Sequence, residues 1–271
     1  MLTSEQFDRT RVLARRLAGI ELHERHRKLL CQRYQRIETS GPTSFNALLS
    51  AAEEGDPRAR RQLVGLITTN FTGFFRHPRH FELAGERALA AIRRCGRARL
   101  WSAAAATGEE PYSLAMALIE MSGHDAPPVT ILATDINADA LAVAQQAEYS
   151  KVALGSLSPA RRARFLTPLS DGKLWKICPT VCRIIDFGVV NLADSTWPVE
   201  GPFDVIFCRN VLMYLEACLR QAVLERMTSL LTPDGILMLD PTEHLGKAGH
   251  LFTQRSDGVC LRRGTEFHSS L

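Results

Sequence analysis

Two turns carry residues that could hold a nucleotide-type cofactor. The first is Thr107–Glu110, which contains one glycine and two acids and is followed by Pro111, a residue favoured in the first turn of a helix. The second begins at Asp135, at the end of an apolar run, and Asn137 just beyond it is suited to cap a helix. A glycine turn between a strand and a helix, followed about 20–30 residues later by an acid at a strand end, is typical of doubly wound sheets that bind an adenosine-type cofactor. We therefore expect Glu110 to face the site and Asp135 to accept hydrogen bonds from ribose hydroxyls, with a helix cap as the alternative role for Asp135.

A third cluster follows the apolar run Phe203–Phe207. Arg209, Asn210 and Tyr214 come shortly after its end. Such residues just past a buried strand indicate a ligand site, whereas a surface loop with a capping asparagine is the alternative. Asn191-Leu192 ends an earlier strand-like run and is expected to reach the same edge of the sheet.

The fourth cluster is Asn70–Arg76, in which polar residues alternate with phenylalanines. The three phenylalanines alone would fit an aromatic plug between two domains. Asn70, Thr72 and Arg76 add polar groups beside an apolar wall, which is how specific small-molecule sites are usually built. We expect these three side chains to line the site.

The elements that must position these residues change character along the chain. Residues 4–69 show apolar residues at helical spacing and no strand pattern, which predicts a small helical module. From about Leu100 strands alternate with helices, which favours an α/β fold with a doubly wound, mostly parallel sheet covered on both faces. The predicted strands are Arg99–Ala103, Val129–Thr134, Thr180–Asp186, Phe203–Cys208 and Ile236–Leu239, the helices are Tyr112–Met121, Ala138–Ala147 and Glu216–Leu231, with a break at Pro233-Asp234-Gly235, and Leu251–Arg262 is a terminal hairpin.

Composition and charge restrict the class of protein. The 271 residues are 45% apolar and 23% charged, as in ordinary globular proteins, and no apolar run approaches the roughly 20 residues of a membrane span. The first residues lack the apolar core of a signal peptide, so we expect a cytoplasmic protein. Residues 1–65 hold 12 Lys or Arg against 8 Asp or Glu, which equals the whole net charge of +4 and suggests an acidic partner for this region. The seven cysteines form no C-x-x-C pair and are expected to be reduced thiols rather than metal ligands.

The clusters above belong to longer motifs, which are TTNFTGFFR (Thr68–Arg76), LWSAAAATGEEPYS (Leu100–Ser113), ILATDIN (Ile131–Asn137), VVNL (Val189–Leu192), FDVIFCRNVLMYL (Phe203–Leu215) and PDG (Pro233–Gly235). Together these motifs resemble those of the chemoreceptor glutamate methyltransferases, the CheR family of bacterial chemotaxis. Where that family usually has G-x-S-E, this chain has Asp240-Pro241-Thr242-Glu243, and its first loop contains Ala103–Ala106. Members of that family that tether to a receptor's C-terminal peptide have a glycine-rich loop in a small β-subdomain. The corresponding stretch here, Pro168–Lys176, has a single glycine, so we expect no such tethering.

The resemblance implies a class I methyltransferase sheet, S-adenosylmethionine as methyl donor and receptor glutamates as acceptors. It divides the chain into a helical domain (1–69), a linker that contributes to the active site (70–90) and a catalytic domain (91–271) with a small β-subdomain around 165–188. Arg76 and Tyr214 would lie nearest the transferred methyl. The residues implied to line the cofactor are Asn70, Thr72, Arg76, Glu110, Asp135, Asn191, Leu192, Arg209 and Asn210.

The resemblance also gives the basic N-terminal residues a role. Arg25, Lys28 and Arg36, which we call the basic docking residues, are spaced to share one helical face, where the cytoplasmic helical region of a methyl-accepting chemoreceptor would present glutamates. A solvated face is the alternative. We expect a monomer with no metal, no nucleic-acid partner and no direct membrane insertion. A cofactor-binding regulatory module without methyl transfer and a methyltransferase of another substrate class remain the competing functions.

Overall fold

The N-terminal module is helical because apolar residues recur at helical spacing and most of its helices begin at a capping residue. The computed structural model describes residues 2–38, 44–170 and 172–263, with backbone only for 36–38. In the described part, Thr3, Ser44 and Asp56 each accept a hydrogen bond from a backbone N–H in the first turn of a helix. The module has its own apolar core, which includes Phe7 and Leu63. The helices are α1 (Ser4–Ala18), α2 (Arg27–Glu38), α3 (Phe45–Glu54) and α4 (Pro57–Ile67), with a 3-10 turn at Glu24–His26 between the first two.

Strands and helices alternate in the rest of the described chain, as the sequence predicted. Helix α5 (Pro78–Cys95) comes first and packs on α6 and β1. The later helices are α6 (Glu109–Ser122), α7 (Ala138–Gln146), α8 (Pro159–Phe165), α9 (Pro179–Cys182) and α10 (Ala217–Ser229). The strands are β1 (Ala98–Ser102), β2 (Val129–Asp135), β3 (Glu148–Ser150), β4 (Leu166–Pro168), β5 (Leu174–Ile177), β6 (Ile185–Val189), β7 (Phe203–Phe207), β8 (Leu231–Met238), β9 (Phe252–Gln254) and β10 (Val259–Arg262).

Seven strands form the main sheet in the order β6-β2-β1-β7-β8-β10-β9. The first five are parallel, and β10 runs antiparallel to both of its neighbours. Successive residues of β1 enter different apolar layers: Leu100 joins the core that contains α5 and α6, and Trp101 joins the core that contains α10. The prediction of a doubly wound, mostly parallel sheet is confirmed. Strand order reverses at β1, which makes the edge formed by the carboxyl ends of the parallel strands the expected ligand site.

A small antiparallel sheet of order β3-β5-β4 lies outside the main sheet. Its strands pair Glu148–Ser150 and Leu166–Pro168 with Leu174–Ile177. It therefore draws one strand from before the range 165–188 in which the β-subdomain was expected. Ile185–Val189, which begins inside that range, pairs with β2 in the main sheet instead.

Two predicted elements are wrong in detail. Thr180–Asp186 is not one strand, because Pro179 occupies the first turn of α9 and the strand starts only at Ile185. The expected break at Pro233-Asp234-Gly235 lies inside β8. Between Phe203 and Val205 of β7, the partner residue on β8 moves from Leu231 to Ile236, and this irregularity accommodates the turn-forming residues.

In the described part of the chain, no helix combines the length and apolar character needed to cross a bilayer.

Candidate active site

The carboxyl ends of β1, β2, β6 and β7 open into one cleft of about 1000 Å³, a volume that includes solvent at its mouth. The strand register brings these ends together, since Ser102 pairs with both Ala133 and Phe207, and Asp135 pairs with Val189. Side chains that follow these strands therefore meet at one edge.

All ten residues that the sequence assigned to cofactor or catalysis line this cleft. The helical module contributes Ala18, Ile20 and Ile67 to the same lining. The cleft is thus shared between the helical module, the segment after it and the main sheet. The ten residues are Asn70, Thr72, Arg76, Glu110, Asp135, Asn191, Leu192, Arg209, Asn210 and Tyr214.

The first turn of the cleft needs its glycine. Gly108 has φ +97°, and a Cβ there would lie 2.8 Å from the Ala144 Cβ and 2.8 Å from the Tyr149 hydroxyl. Helix α6 begins directly after it, with Glu109 and Glu110 in its first turn. The glycine therefore permits the tight turn that directs Glu110 into the cleft.

Glu110 and Arg209 form a buried pair of opposite charge. The Arg209 Nη1 lies 3.3 Å from the Glu110 Oε2, and Ser102 Oγ donates to the Glu110 Oε1 at 2.8 Å. Burial raises the pKa of Glu110, while the Arg209 charge acts in the opposite direction. Arg209 is 3% exposed, and within the described residues no hydrogen bond reaches its Nε or Nη1, although Nη2 donates to the carbonyl of Arg76 at 2.8 Å. A buried guanidinium with unused donors on a cleft wall is suited to an anionic group of a ligand.

Asp135 is buried, and the backbone holds both of its carboxylate oxygens. Its Oδ2 accepts the Ala106 N–H at 2.9 Å, and its Oδ1 accepts the Asn137 N–H at 2.8 Å. Burial raises the pKa of Asp135, and these hydrogen bonds oppose the rise. Asn137 provides the cap of α7 through its own side chain, so Asp135 is not needed for that role. A carboxylate has about four acceptor positions, which leaves capacity for ribose hydroxyls.

The segment Asn70–Arg76 combines buried and exposed aromatic residues. Phe74 and Phe75 are buried, and Ser113 Oγ accepts the Phe75 N–H at 2.9 Å. Phe71 is instead 77% exposed at the mouth of the cleft, with the Arg76 guanidinium 5.5 Å from the centre of its ring. Phe74 and Phe75 therefore belong to the apolar core that contains α5 and α6 rather than to a plug between two domains, and the polar residues of the segment line the cleft.

The loop after β7 is held by Glu243, a residue that sequence reasoning did not assign to the site. The Glu243 carboxylate is buried and accepts four backbone N–H groups: Asn210 at 2.9 Å, Val211 at 3.0 Å, Met213 at 3.3 Å and Asp240 at 3.1 Å. Burial raises the pKa of Glu243, and these hydrogen bonds counter the rise. The carboxylate fixes the backbone that carries Arg209 and Asn210, the latter at φ +60°.

Asp240 lies beside Glu243 and was also missed. Its Oδ1 accepts from the backbone and hydroxyl of Thr242, at 3.1 and 2.7 Å. Its Oδ2 accepts from Asn210 Nδ2 at 2.9 Å and lies 3.3 Å from Arg76 Nη2 and 3.4 Å from His77 Nε2. Burial acts to raise the pKa of Asp240, but these hydrogen bonds and the Arg76 charge outweigh it and lower the pKa to about 2. Both acids follow β8, so the strand-end rule used for the other clusters would have located them.

Asn191 borders the cleft, but its side-chain amide forms hydrogen bonds with residues outside the cleft. Its Nδ2 donates to the carbonyl of Leu17 and to Asp194 Oδ1, both at 2.9 Å, and its Oδ1 accepts the Ala193 N–H at 3.0 Å. The amide therefore fastens the helical module to the sheet. Leu192 is buried and gives the same wall an apolar surface.

Tyr214 is where the helical module contacts the loop after β7. Its carbonyl accepts the Glu21 N–H at 2.8 Å, and its ring centre lies 6.4 Å from that of His26. The turn Glu24–His26 therefore lies next to the cleft and its half-buried tyrosine.

Lys28 and Arg36 lie in α2 and Arg25 precedes it, and a shared face for the three basic docking residues stays a prediction. Arg25 is in the 3-10 turn Glu24–His26, where His26 Nδ1 accepts the His23 N–H at 3.0 Å, and α2 begins at Arg27. Arg25 and Lys28 are both exposed. The side chain of Arg36 lies outside the described residues.

No group of three or more His, Cys, Asp or Glu side chains is placed to hold a metal ion within the part of the chain that the structure describes. The absence of a metal stays a prediction.

A mostly parallel α/β sheet with an acid-lined cleft at its switch point is the architecture of a nucleotide-cofactor enzyme. Residues 70–259 match the family model described as CheR methyltransferase, SAM-binding domain. The chain is 35% identical over 253 residues to chemotaxis protein methyltransferase 2 of Pseudomonas aeruginosa, covering 92% of this chain and 90% of that one. It is 35% identical over 263 residues to the chemotaxis protein methyltransferase of Escherichia coli K12, covering 95% and 91%. The chain belongs to the CheR methyltransferase family, and the resemblance predicted from its motifs is confirmed.

Proposed function

We propose that this protein transfers a methyl group from S-adenosylmethionine to glutamate side chains in the cytoplasmic helical region of chemoreceptors, giving glutamate methyl esters. The observation that carries the proposal is the cleft itself, in which a buried arginine with unused donors, two acids and a polar–aromatic segment converge. The names of the relatives, chemotaxis protein methyltransferases, support the receptor as acceptor.

The residues present fit the methyl donor. The free donors of Arg209 suit its carboxylate, Glu110 suits its ammonium group, and Asp135 suits the ribose hydroxyls. Asn70, Thr72 and Asn210 complete the polar wall, while Leu192 and the backbone beside Asn191 provide the rest of the pocket. When bound, S-adenosylmethionine supplies an electrophilic methyl group on a sulfonium.

Methyl transfer to a carboxylate needs little acid–base catalysis from the protein. A glutamate carboxylate has an unperturbed pKa of about 4.3 and is ionised at neutral pH, so no general base is needed. Arg76 and Tyr214 orient the acceptor carboxylate at the mouth of the cleft, which the segment Asn70–Arg76 lines with polar and aromatic side chains. Orientation in a dry site matters because the reaction neutralises two opposite charges, which water stabilises when they are separate.

The remaining assignments are part of the same proposal. The basic docking residues attract the acidic face of the receptor, and Arg25 lies in the turn that contacts Tyr214 through His26. The protein works in the cytoplasm as a monomer, without metal, nucleic acid or membrane insertion. Functionally, 1–69 acts as the helical docking domain, 70–90 as the linker that completes the site, and 91–271 as the catalytic domain with its small β-subdomain around 165–188.

The test is transfer of a radiolabelled methyl group from S-adenosylmethionine to a purified receptor cytoplasmic fragment. We expect label in the fragment that alkali releases as methanol, together with glutamate methyl esters in its peptide mass spectra. Donor binding without transfer would instead indicate a regulatory module. Transfer only to nucleic acids or small molecules would indicate a methyltransferase of another substrate class.

A further inference from the structure

Arg76 does not stand alone at the mouth of the cleft. Its guanidinium lies over the ring of Phe71 and within 3.3 Å of the Asp240 carboxylate. The arginine side chain is 34% exposed, whereas that of Asp240 is 4% exposed. One partner of this ion pair is therefore open to the cleft, and the other is buried in the protein.

Asp240 is held more firmly than an ordinary surface acid. Thr242 donates twice to its Oδ1, and Asn210 donates to its Oδ2, the oxygen that faces Arg76. Its backbone N–H is bound in turn by Glu243. Three hydrogen bonds thus fix the carboxylate, and a fourth fixes the backbone of the same residue.

We propose that Asp240 is a positioning residue for methyl transfer, which holds Arg76 and offsets part of its charge. This inference rests on the proposed function, in which Arg76 orients the acceptor. A fully free arginine would bind the acceptor carboxylate strongly and lower its nucleophilicity, because only interactions that are stronger in the transition state increase turnover. An arginine shared with Asp240 aligns the carboxylate with a weaker hold.

The first test compares wild type with Asp240→Asn and Asp240→Gly in steady-state methylation of a receptor fragment. Removing the acid frees Arg76, so we expect kcat to fall at least about fivefold while the acceptor KM falls or stays constant, the pattern of a site that has gained ground-state binding. Affinity for S-adenosylhomocysteine, measured by calorimetry, should change less than twofold. The glycine variant supplies the comparison if the amide variant does not fold.

Asp125→Asn is the matched control, because it makes the same chemical change in an exposed acid–arginine pair, Asp125–Arg164 at 3.2 Å, whose residues do not line the cleft. We expect its kcat to stay within twofold of wild type. The proposal is overturned if the Asp240 variants keep wild-type kcat, if their acceptor KM rises at constant kcat, or if donor affinity falls in proportion to kcat, as a merely structural role predicts.

A second readout needs no turnover. Side-chain nitrogen NMR of the Arg76 guanidinium, assigned with Arg76→Lys, should show hindered rotation in wild type that is lost in Asp240→Asn. If wild type transfers no methyl to any receptor fragment, the proposed function fails while this measurement still decides whether Asp240 holds Arg76. Equal rotation in the two proteins would refute the pairing itself.

Discussion

Replacing Glu243 by glutamine should destabilise the protein markedly, although the two side chains have nearly the same shape. Each Glu243 oxygen accepts two backbone N–H groups, from Asn210 and Asp240 on one side and from Val211 and Met213 on the other. An amide keeps one oxygen and turns an NH₂ group toward the other pair of donors. Two charge-assisted hydrogen bonds are lost and two buried donors are left without a partner, at about 1–3 kcal/mol each.

A partial gain offsets this loss, because burial raises the pKa of Glu243 and a neutral amide avoids the cost of burying a charge. We therefore expect Glu243→Gln to lower the free energy of unfolding by about 3 kcal/mol, and Tm by about 6–12 °C for a chain of this size. Thermal unfolding followed by circular dichroism measures the shift. Glu225→Gln, an exposed change on α10, is the matched control and should remain within about 0.5 kcal/mol of wild type. A Tm for Glu243→Gln within 2 °C of wild type would refute the reasoning that this carboxylate organises the loop.

Three further outcomes follow from the charges of the cleft and its surroundings. Asp135→Asn should weaken S-adenosylhomocysteine binding at least tenfold in calorimetry, since hydrogen bonds to a charged group contribute about 1.5–3 kcal/mol, and unchanged affinity would remove the ribose assignment. Replacing the three basic docking residues by Glu should slow receptor methylation and leave donor affinity unchanged. It should also flatten the decline of the methylation rate with salt, because exposed charges are screened over roughly 10 Å at 0.1 M. Wild-type rates for this variant at low salt would favour a solvated face. The pKa of Asp240 is lowered to about 2 from an unfolded value of about 3.9, so its stabilisation is present above pH about 4 and is lost as pH falls toward 2. Asp240→Asn should accordingly flatten the acid part of a stability–pH curve, and an unchanged curve would contradict the lowered pKa that the Thr242 and Asn210 hydrogen bonds and the Arg76 charge give this carboxyl.

Much of the cleft could be predicted from the sequence because parallel strands end at a common edge. Once Asp135 and Arg209 were placed at strand ends, their proximity followed from the fold class without knowledge of any contact. The ends of strands and helices were harder to predict where turn-forming residues can lie either in a break or inside a strand. Pro233-Asp234-Gly235 reads as a break, yet the structure carries it inside β8 by an irregularity in the pairing with β7.

Long-range polar partners could not be read from local pattern. The side chain of Asn191 is of a type that binds cofactors, but its amide contacts Leu17, 174 residues earlier in the chain. Arg25 and Lys28 have helical spacing, but Arg25 lies in the 3-10 turn before α2, where a side-chain hydrogen bond joins His23 and His26. Side-chain hydrogen bonds of this kind depend on which elements pack together, and no periodicity encodes that.

The balance of charge around the cleft explains how one site can serve a cationic donor and an anionic acceptor. Both arginines that line it are paired, Arg209 with Glu110 and Arg76 with Asp240. An unpaired arginine would favour the acceptor carboxylate and repel a sulfonium, and an unpaired acid would do the reverse. Because both arginines are paired, the polar wall of the cleft has little net preference for a positive or a negative ligand. The donors of Arg209 and the exposed edge of Arg76 then orient the bound groups without attracting them strongly. Because the transition state carries less charge than either separated reactant, a site that holds both charges weakly and in fixed orientation lowers the barrier more than a site that binds either one tightly.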